Sequence, residues 1–264
     1  MTILVALVVI SLISGNALLQ MRILAEQEQS QAKREREALS ALVWKRKNEK
    51  DAETKGIEVK NIDALQEQEL PEENSWESPI DFDYLSDCNP DTVAWLWIPD
   101  TNIDYPVVQS KDNETYMSRD FYGEEKKSGT IFLDFQSELP QTSLETGKSY
   151  DSKSTNQSLR ELIAQPKNCV FYGHYMKNGS MFRDIARYQD QTYFDTHRQI
   201  WLYTPQATLE LEAVEWFSAP NSQELRDLCL TETDKGTYAF VTCSYDGKDN
   251  RGILWARQVL REEK

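Results

Sequence analysis

Residues 93–108 read VAWLWIPDTNIDYPVV and contain two short apolar runs, 93–98 and 103–108, separated by a turn that begins Pro-Asp. Runs of this length, rich in Val, Ile, Trp and Tyr and bounded by turn residues, are typical of β-strands. Six more runs of the same character follow, at 129–135, 169–172, 199–203, 208–217, 238–243 and 252–259. Eight strands with few helices predict a mostly β domain, built either as a closed barrel or as a sandwich.

The segments between these strands predict only a few helices. Apolar residues have helical spacing at 80–88, 181–187 and 222–228. The segment 139–167 is polar and rich in Ser, Thr and Gln. We interpret it as a long surface insertion with one short helix at 158–164.

The N-terminal part of the chain differs in character from the predicted β domain. Residues 1–19 contain no charged side chain, and a helix of this length spans about 28 Å, close to the thickness of a bilayer core. This predicts a transmembrane anchor, with a cleaved signal peptide or a buried core helix as alternatives. Residues 20–75 are rich in Glu, Gln, Lys, Arg and Ala and predict a solvated, charged helical stalk and linker. The folded domain is then 76–264.

Composition excludes several classes of function. The 264 residues include 29 Lys and Arg against 44 Asp and Glu, a net charge of −15. A general nucleic-acid binder needs a basic surface, so we expect no nucleic-acid partner. With two His and four Cys, neither a multi-His metal site nor a disulfide scaffold is expected. We predict no metal and no cofactor.

Three residues with reactive or charged side chains lie at strand ends. Cys243 ends the run 238–243, Arg251 opens the last strand after a polar loop, and His174 follows the run 169–172. A thiolate nucleophile, an imidazole acid and base, and a fixed cation suffice for acyl transfer. Taken singly, a packing Cys and a structural His are the more common explanation of such residues.

Longer motifs give these residues a context. The segments 89–99 (NPDTVAWLWIP), 101–109 (TNIDYPVVQ), 128–134 (SGTIFLD) and 172–176 (YGHYM, followed by MF at 181–182) precede Thr242-Cys243 and Arg251. In this order they resemble the motifs of the sortases, the cysteine transpeptidases of Gram-positive cell surfaces, and within that family those of class B. The resemblance covers most of residues 80–259.

The resemblance implies a fold and a site. The fold is a closed eight-stranded sortase-like β-barrel with a few peripheral helices, preceded by the transmembrane helix and the stalk. The implied catalytic residues are His174, Cys243 and Arg251. The implied substrate-binding residues are Asn113, Met117, Val241 and Thr242.

It also implies a function. Cys243 would cleave a C-terminal sorting signal of surface proteins through a thioester and transfer the protein to an amine of peptidoglycan. The alternative within the family is a pilin polymerase, which uses a pilin Lys amine as acceptor. Alternatives outside the family are a membrane-anchored cysteine peptidase and a non-catalytic surface module. The implied location is the cell membrane, single-pass, with the catalytic domain outside, although the positive-inside rule alone favours a cytoplasmic domain.

Other features of the sequence are interpreted as structural or as departures from the family. His197 and the cysteines Cys88, Cys169 and Cys229 are expected to serve packing. The segment 218–237 is shorter than in class B sortases, and 139–167 is longer. In the family these segments border the substrate groove, so the sequence does not identify the sorting motif that the protein recognises.

Overall fold

The computed structural model describes residues 2–55, 78–140, 168–231, 238–243 and 249–259, including their side chains except those of 2–16, 44–55 and Cys243. Eight strands form a closed barrel in the order β1-β2-β3-β4-β7-β8-β6-β5, which confirms the predicted barrel. The strands are β1 Thr92–Trp97, β2 Asp104–Val108, β3 Phe132–Leu133, β4 Cys169–Gly173, β5 Gln199–Tyr203, β6 Thr208–Pro220, β7 Tyr238–Cys243 and β8 Asn250–Gln258.

The remaining regular structure is helical. They are α1 Thr2–Lys55, α2 Phe82–Cys88, α3 Gln191–Thr196 and α4 Gln223–Leu230, with 3₁₀ helices at Thr115–Met117 and Phe182–Gln189. The predicted helices at 80–88 and 222–228 are therefore confirmed to within two residues, and the one at 181–187 is 3₁₀. Residues 141–167, with the predicted helix at 158–164, lie outside the described residues.

One predicted strand is much shorter than expected. The run 129–135 contributes only β3, Phe132–Leu133. Gly129 has a φ of +56°, and a Cβ there would lie 2.5 Å from the carbonyl oxygen of Tyr116. This close approach and left-handed backbone make the start of the run a turn, which only glycine tolerates easily. At the other end, the carboxylate of Asp134 is held by side chains of neighbouring segments.

The barrel interior is a single apolar cluster that fixes the strands around the site. Leu96, Phe171, Phe240 and Leu254 are fully buried in it. The rings of Phe171 on β4 and Phe240 on β7 stack with centroids 5.1 Å apart. Each such buried side chain contributes about 1.5–3 kcal/mol to folding. The stacked rings of these two residues therefore stabilise the parallel pairing of β4 with β7.

One face of α1 packs against the outside of the barrel. Its less exposed positions are 32, 36, 39, 40 and 43, three or four residues apart as on one face of a helix. Val43 is fully buried in a cluster with Leu85 and Trp95. Arg36 donates from Nη1 to the backbone carbonyl and to the side-chain oxygen of Asn102, each at 2.9 Å. The expectation of a fully solvated stalk is wrong for this face.

The predicted membrane anchor receives no support from the structure. Across the part of the chain that the structure describes, no helix meets the length and hydropathy needed to cross a membrane. The backbone of residues 2–19 is helical as part of α1, while the side chains of 2–16 lie outside the described set. The domain boundaries at 19/20 and 75/76 stay predictions.

Candidate active site

Strand pairing brings the three predicted catalytic residues to one end of the barrel. β7 and β8 are antiparallel, and the Cα of Cys243 is paired with that of Arg251. β4 runs parallel to β7, with Gly173 paired with Thr242. His174 follows Gly173 just as Cys243 follows Thr242. Because neighbouring strands lie about 5 Å apart, the backbones of these three residues end side by side.

The ring of His174 is oriented by a backbone group. Its Nε2 lies 2.7 Å from the carbonyl oxygen of Met117, at the end of the 3₁₀ helix Thr115–Met117. A carbonyl oxygen only accepts hydrogen bonds, so this contact requires the proton on Nε2. Since the backbone holds this nitrogen, the imidazole has a defined direction at the edge of the site, both as the neutral ring and as the imidazolium.

A cavity of about 500 Å³ lies against these strand ends. All the predicted site residues whose side chains are described line it, namely Asn113, Met117, His174, Val241, Thr242 and Arg251. Thr242 is 1% exposed. Among the described residues, its hydroxyl has no hydrogen-bond partner. Both polar and apolar side chains line the cavity, and its volume is in the range of small-molecule and peptide sites.

The predicted substrate-binding residues Asn113 and Met117 have further contacts within the protein. The amide nitrogen of Asn113 donates to Asp134 at 2.8 Å, and its amide oxygen accepts from the backbone N–H of Phe135 at 3.1 Å. The side chain of Met117 is 43% exposed, and its carbonyl holds His174. Both residues therefore line the cavity and also shape it.

Helix α4 supplies the remaining wall, and here the structure adds residues that the sequence did not point to. Arg226 and Cys229 of α4 and Tyr172 of β4 line the cavity. Arg226 forms an ion pair with the fully buried Asp134, Nε to Oδ2 at 3.2 Å. The only sequence signal was Asp134 itself, which ends the motif at 128–134 but carried no predicted role.

The surroundings of Cys229 set it apart from a nucleophile. The side chain is 1% exposed and packs against Val170, Val241 and Trp255. Burial raises the pKa of its thiol to about 12, and only a thiolate attacks carbonyl carbon. Cys229 is therefore a neutral packing residue, as the sequence predicted.

The remaining His and Cys residues are also structural. The ring of His197 stacks on Tyr193 with centroids 3.8 Å apart, and its Nδ1 lies 2.9 Å from the Tyr193 carbonyl oxygen. Cys88, Cys169 and Cys229 are free thiols. Cys169 is buried, and its Sγ lies 3.2 Å from the carbonyl oxygen of Glu138.

Comparison with known proteins shows which family the chain is similar to. No family model matches the chain. Sortase B of Listeria monocytogenes is 37% identical over 113 residues, which is 43% of this chain and 37% of that protein. Sortase B of Staphylococcus aureus is 30% identical over 119 residues, which is 45% of this chain and 39% of that protein. The aligned parts thus span less than half the length of these curated relatives.

The barrel itself has a counterpart among solved structures. A mutant form of Clostridium perfringens sortase B superimposes with a TM-score of 0.54 at 23% identity, covering 68% of this chain and 86% of that one. At this identity the likeness concerns the fold. The shared barrel and the sequence similarity to both curated relatives lead to one conclusion: the chain is similar to the sortases, and within them to class B.

Proposed function

We propose that the chain is a cysteine transpeptidase that cleaves a C-terminal sorting signal of surface proteins and transfers them to an amine of the cell wall. The observation that carries this proposal is the strand register around β7. It sets the Cα of Arg251 opposite Cys243 and pairs Gly173 with Thr242, the residues just before His174 and Cys243. The similarity to class B sortases supports the same chemistry.

The proposed first half-reaction is acylation of the enzyme. The thiolate of Cys243 attacks the carbonyl carbon of the scissile peptide bond, and a thioester forms as the carbon–nitrogen bond breaks. His174 gives a proton to the leaving amine. Arg251 stabilises the developing oxyanion or holds the peptide backbone, since a planar guanidinium offers two donors on one edge.

The second half-reaction resolves the thioester. An incoming amine loses its proton to His174 and attacks the thioester carbon, which forms a new amide and releases the Cys243 thiolate. An amine acceptor rather than water makes the enzyme a transpeptidase. We propose a peptidoglycan amine as acceptor, and the alternative is a pilin Lys amine. We propose that Val241 and Thr242, which line the cavity, contact the bound peptide.

Location belongs to the same proposal. We propose that residues 1–19 anchor the chain in the cell membrane and that the barrel lies outside the cell, where sorting signals and cell-wall amines meet. The uncharged stretch 1–19 supports this, and so does the family's known site of action.

The experiment that tests the activity uses a peptide library with added amines, read by mass spectrometry of the products. Wild type is expected to join one class of peptide to an amine, and Cys243→Ala to form no product. The matched controls are Cys88→Ala, Cys169→Ala and Cys229→Ala, which are expected to keep the chemistry. Normal turnover by Cys243→Ala, or its loss only in one of the controls, would contradict the assignment.

A further inference from the structure

The carboxylate of Asp134 is a buried meeting point of three cavity walls. It is fully buried and directly follows β3. Its Oδ2 accepts from the amide of Asn113 at 2.8 Å, from the hydroxyl of Tyr172 at 3.2 Å and from Nε of Arg226 at 3.2 Å. Its Oδ1 accepts from the backbone N–H of Gln136 at 2.9 Å. A buried carboxylate is tolerated only when it has such a set of partners.

The three side-chain partners come from distant parts of the chain and all line the cavity. Asn113 lies in the loop after β2, Tyr172 on β4, and Arg226 on α4. Tyr172 further packs its ring against Phe132 of β3, with centroids 5.2 Å apart. A single carboxylate therefore joins the loop, the sheet and the helix that enclose the cavity.

Arg226 is a polar tie between α4 and the barrel, beside the amide of Asn168 that donates to the carbonyl oxygen of Thr231 at the end of the helix. Its side chain is 28% exposed, reaches Asp134 through both Nε and Nη2, and lies 5.4 Å from the ring centroid of Phe135. The hydrogen bond to Asp134 raises the pKa of Arg226 above its usual value. The apolar contacts of α4 are made by Leu225, Cys229 and the partly buried Leu230, on a helix of only eight residues.

A buried ion pair seldom stabilises a fold more than apolar packing of the same volume. Its geometry, however, is much more specific, because two N–H groups of a planar fork must meet one carboxylate. Here the residues that the ion pair orients form walls of the cavity, so the geometry of the pair affects the shape of the cavity.

We propose that the Asp134–Arg226 pair positions the wall of the substrate groove: it holds α4 at a fixed distance from Asn113 and Tyr172 and so sets peptide binding rather than the chemical step. Asp134 and Arg226 are positioning residues in this scheme. The inference rests on the proposed function for its kinetic consequence, but the fixing of α4 is a property of the fold that can be measured without substrate.

The first measurement is the labelling of Cys229 by a thiol reagent under native conditions, mapped by peptide mass. Cys229 is on the face of α4 that packs against the barrel, so we expect its thiol to become accessible when the helix moves away. In Arg226→Met, which keeps the length of the side chain but removes the charge, we expect Cys229 to label about tenfold faster or more. Cys169 on β4 is the internal control, because it reports opening of the barrel as a whole, and its rate is expected to stay unchanged.

Two further variants serve as comparisons for Arg226→Met. Asp227→Asn removes a charge from the exposed side of the same helix and is expected to leave both labelling rates as in wild type. Arg226→Lys keeps the cation but lacks the fork, and an intermediate Cys229 rate is expected. This variant also serves if Arg226→Met does not fold.

The second measurement is the kinetics of transpeptidation. Arg226→Met is expected to raise KM for the sorting peptide about tenfold and to change kcat only a few-fold. The proposal is overturned if Cys229 labels no faster in Arg226→Met and Arg226→Lys, if Cys229 and Cys169 accelerate together, or if kcat falls while KM stays constant. If wild type transfers no peptide at all, the proposed function fails, and the labelling of Cys229 still decides whether the pair holds α4.

Discussion

Two cysteines, Cys229 and Cys243, have different surroundings in the fold. Cys229 lies on the buried face of α4 within an apolar cluster, where burial keeps its thiol neutral. Cys243 instead ends β7, with its backbone paired with that of a cationic residue, Arg251. A nearby fixed cation favours the thiolate, whereas apolar burial disfavours it. The position in the fold, rather than the residue type, thus separates the proposed nucleophile from the packing residue.

Arg251 is expected to contribute to catalysis more than to stability. The residues that follow it on β8, Ile253, Leu254 and Trp255, supply the packing of the strand. Loss of one preorganised oxyanion donor costs about 10²–10³ in rate. We predict that Arg251→Ala lowers kcat/KM by at least this factor with little change in Tm, and that Arg251→Lys recovers only part of it.

The control for this prediction is Arg257 on the same strand. Its guanidinium makes only an exposed contact of 3.4 Å to Glu212, so Arg257→Ala should keep turnover within a few-fold. Steady-state kinetics and a thermal melt of each variant check both outcomes. Normal turnover in Arg251→Ala, or a loss that comes only from unfolding, would remove Arg251 from the mechanism.

Buried thiols also predict how stability depends on pH. Burial raises the pKa of Cys169 from 9.0 to about 12. Below pH 9 the thiol is protonated in both the folded and the unfolded chain. Between pH 9 and about 12 only the unfolded chain loses the proton, so the free energy of unfolding falls as pH rises, by about 1.4 kcal/mol per pH unit for one such thiol.

We therefore predict that Cys169→Ala shows a shallower alkaline loss of stability than wild type, although it is less stable at neutral pH because it leaves a small void. Urea unfolding of both proteins at about pH 8 and at about pH 10.5 measures the two slopes. Equal slopes would show that the thiol of Cys169 ionises as readily in the folded protein as in the unfolded one.

At the scale of elements, the packing of α1 on the barrel is the feature that differs most from the predicted solvated stalk. Ser40 donates to Asp104 at 2.7 Å, and the same carboxylate accepts from the indole N–H of Trp95 at 2.7 Å. The helix is thereby tied to β1 and β2 through one shared acid. This part of the stalk belongs to the folded unit rather than to a solvated spacer.

We predict that Arg36→Ala lowers the free energy of unfolding by about 1–3 kcal/mol, because it leaves the groups of Asn102 without their donor. The control on the same helix is Lys33→Ala. Its side chain is 62% exposed and pairs only with Glu37 at 3.7 Å, so its effect should stay within about 0.5 kcal/mol. Denaturant unfolding gives both values, and equal effects would show that the docked face of α1 adds nothing to stability.

At the scale of the whole molecule, α1 connects the proposed membrane anchor to the closed barrel. The barrel closes where β5 pairs with β1 through Leu96 and Leu202, and α1 packs beside β1 and β2. The side chains of Leu18, Leu19, Met21 and Leu24, N-terminal to the docked face, are largely exposed. An exposed apolar segment at this place suits the proposed anchor.

We predict that protease treatment of intact cells removes the barrel, because the proposed topology places it outside. The control is a cytoplasmic protein of the same cells, which should survive. Sequencing the N-terminus of the released and the membrane-bound protein tests the anchor, since a mature chain that begins at Leu18 would show a cleaved signal peptide. Survival of the barrel in intact cells that are accessible to protease would place the domain inside.

What the sequence determined by itself are the features that depend on neighbouring residues. Apolar runs bounded by turns predicted the eight strands. Because few residues separate Cys243 from Arg251 in the sequence, the two could be expected to face each other across one turn. The motif at 172–176 placed His174 just after its strand. Local pattern suffices here because strand formation and hairpin pairing involve few residues and little loop entropy.

Only the tertiary structure decided the contacts between distant segments. Asp134 and Arg226 are 92 residues apart, and no pattern links a carboxylate after one strand to a guanidinium on a later helix. Likewise Arg36 meets Asn102 across 66 residues, on a helix face too polar to be recognised as buried. Such pairs form because closing the barrel brings their segments together, and the buried charge then requires a partner wherever the fold provides one.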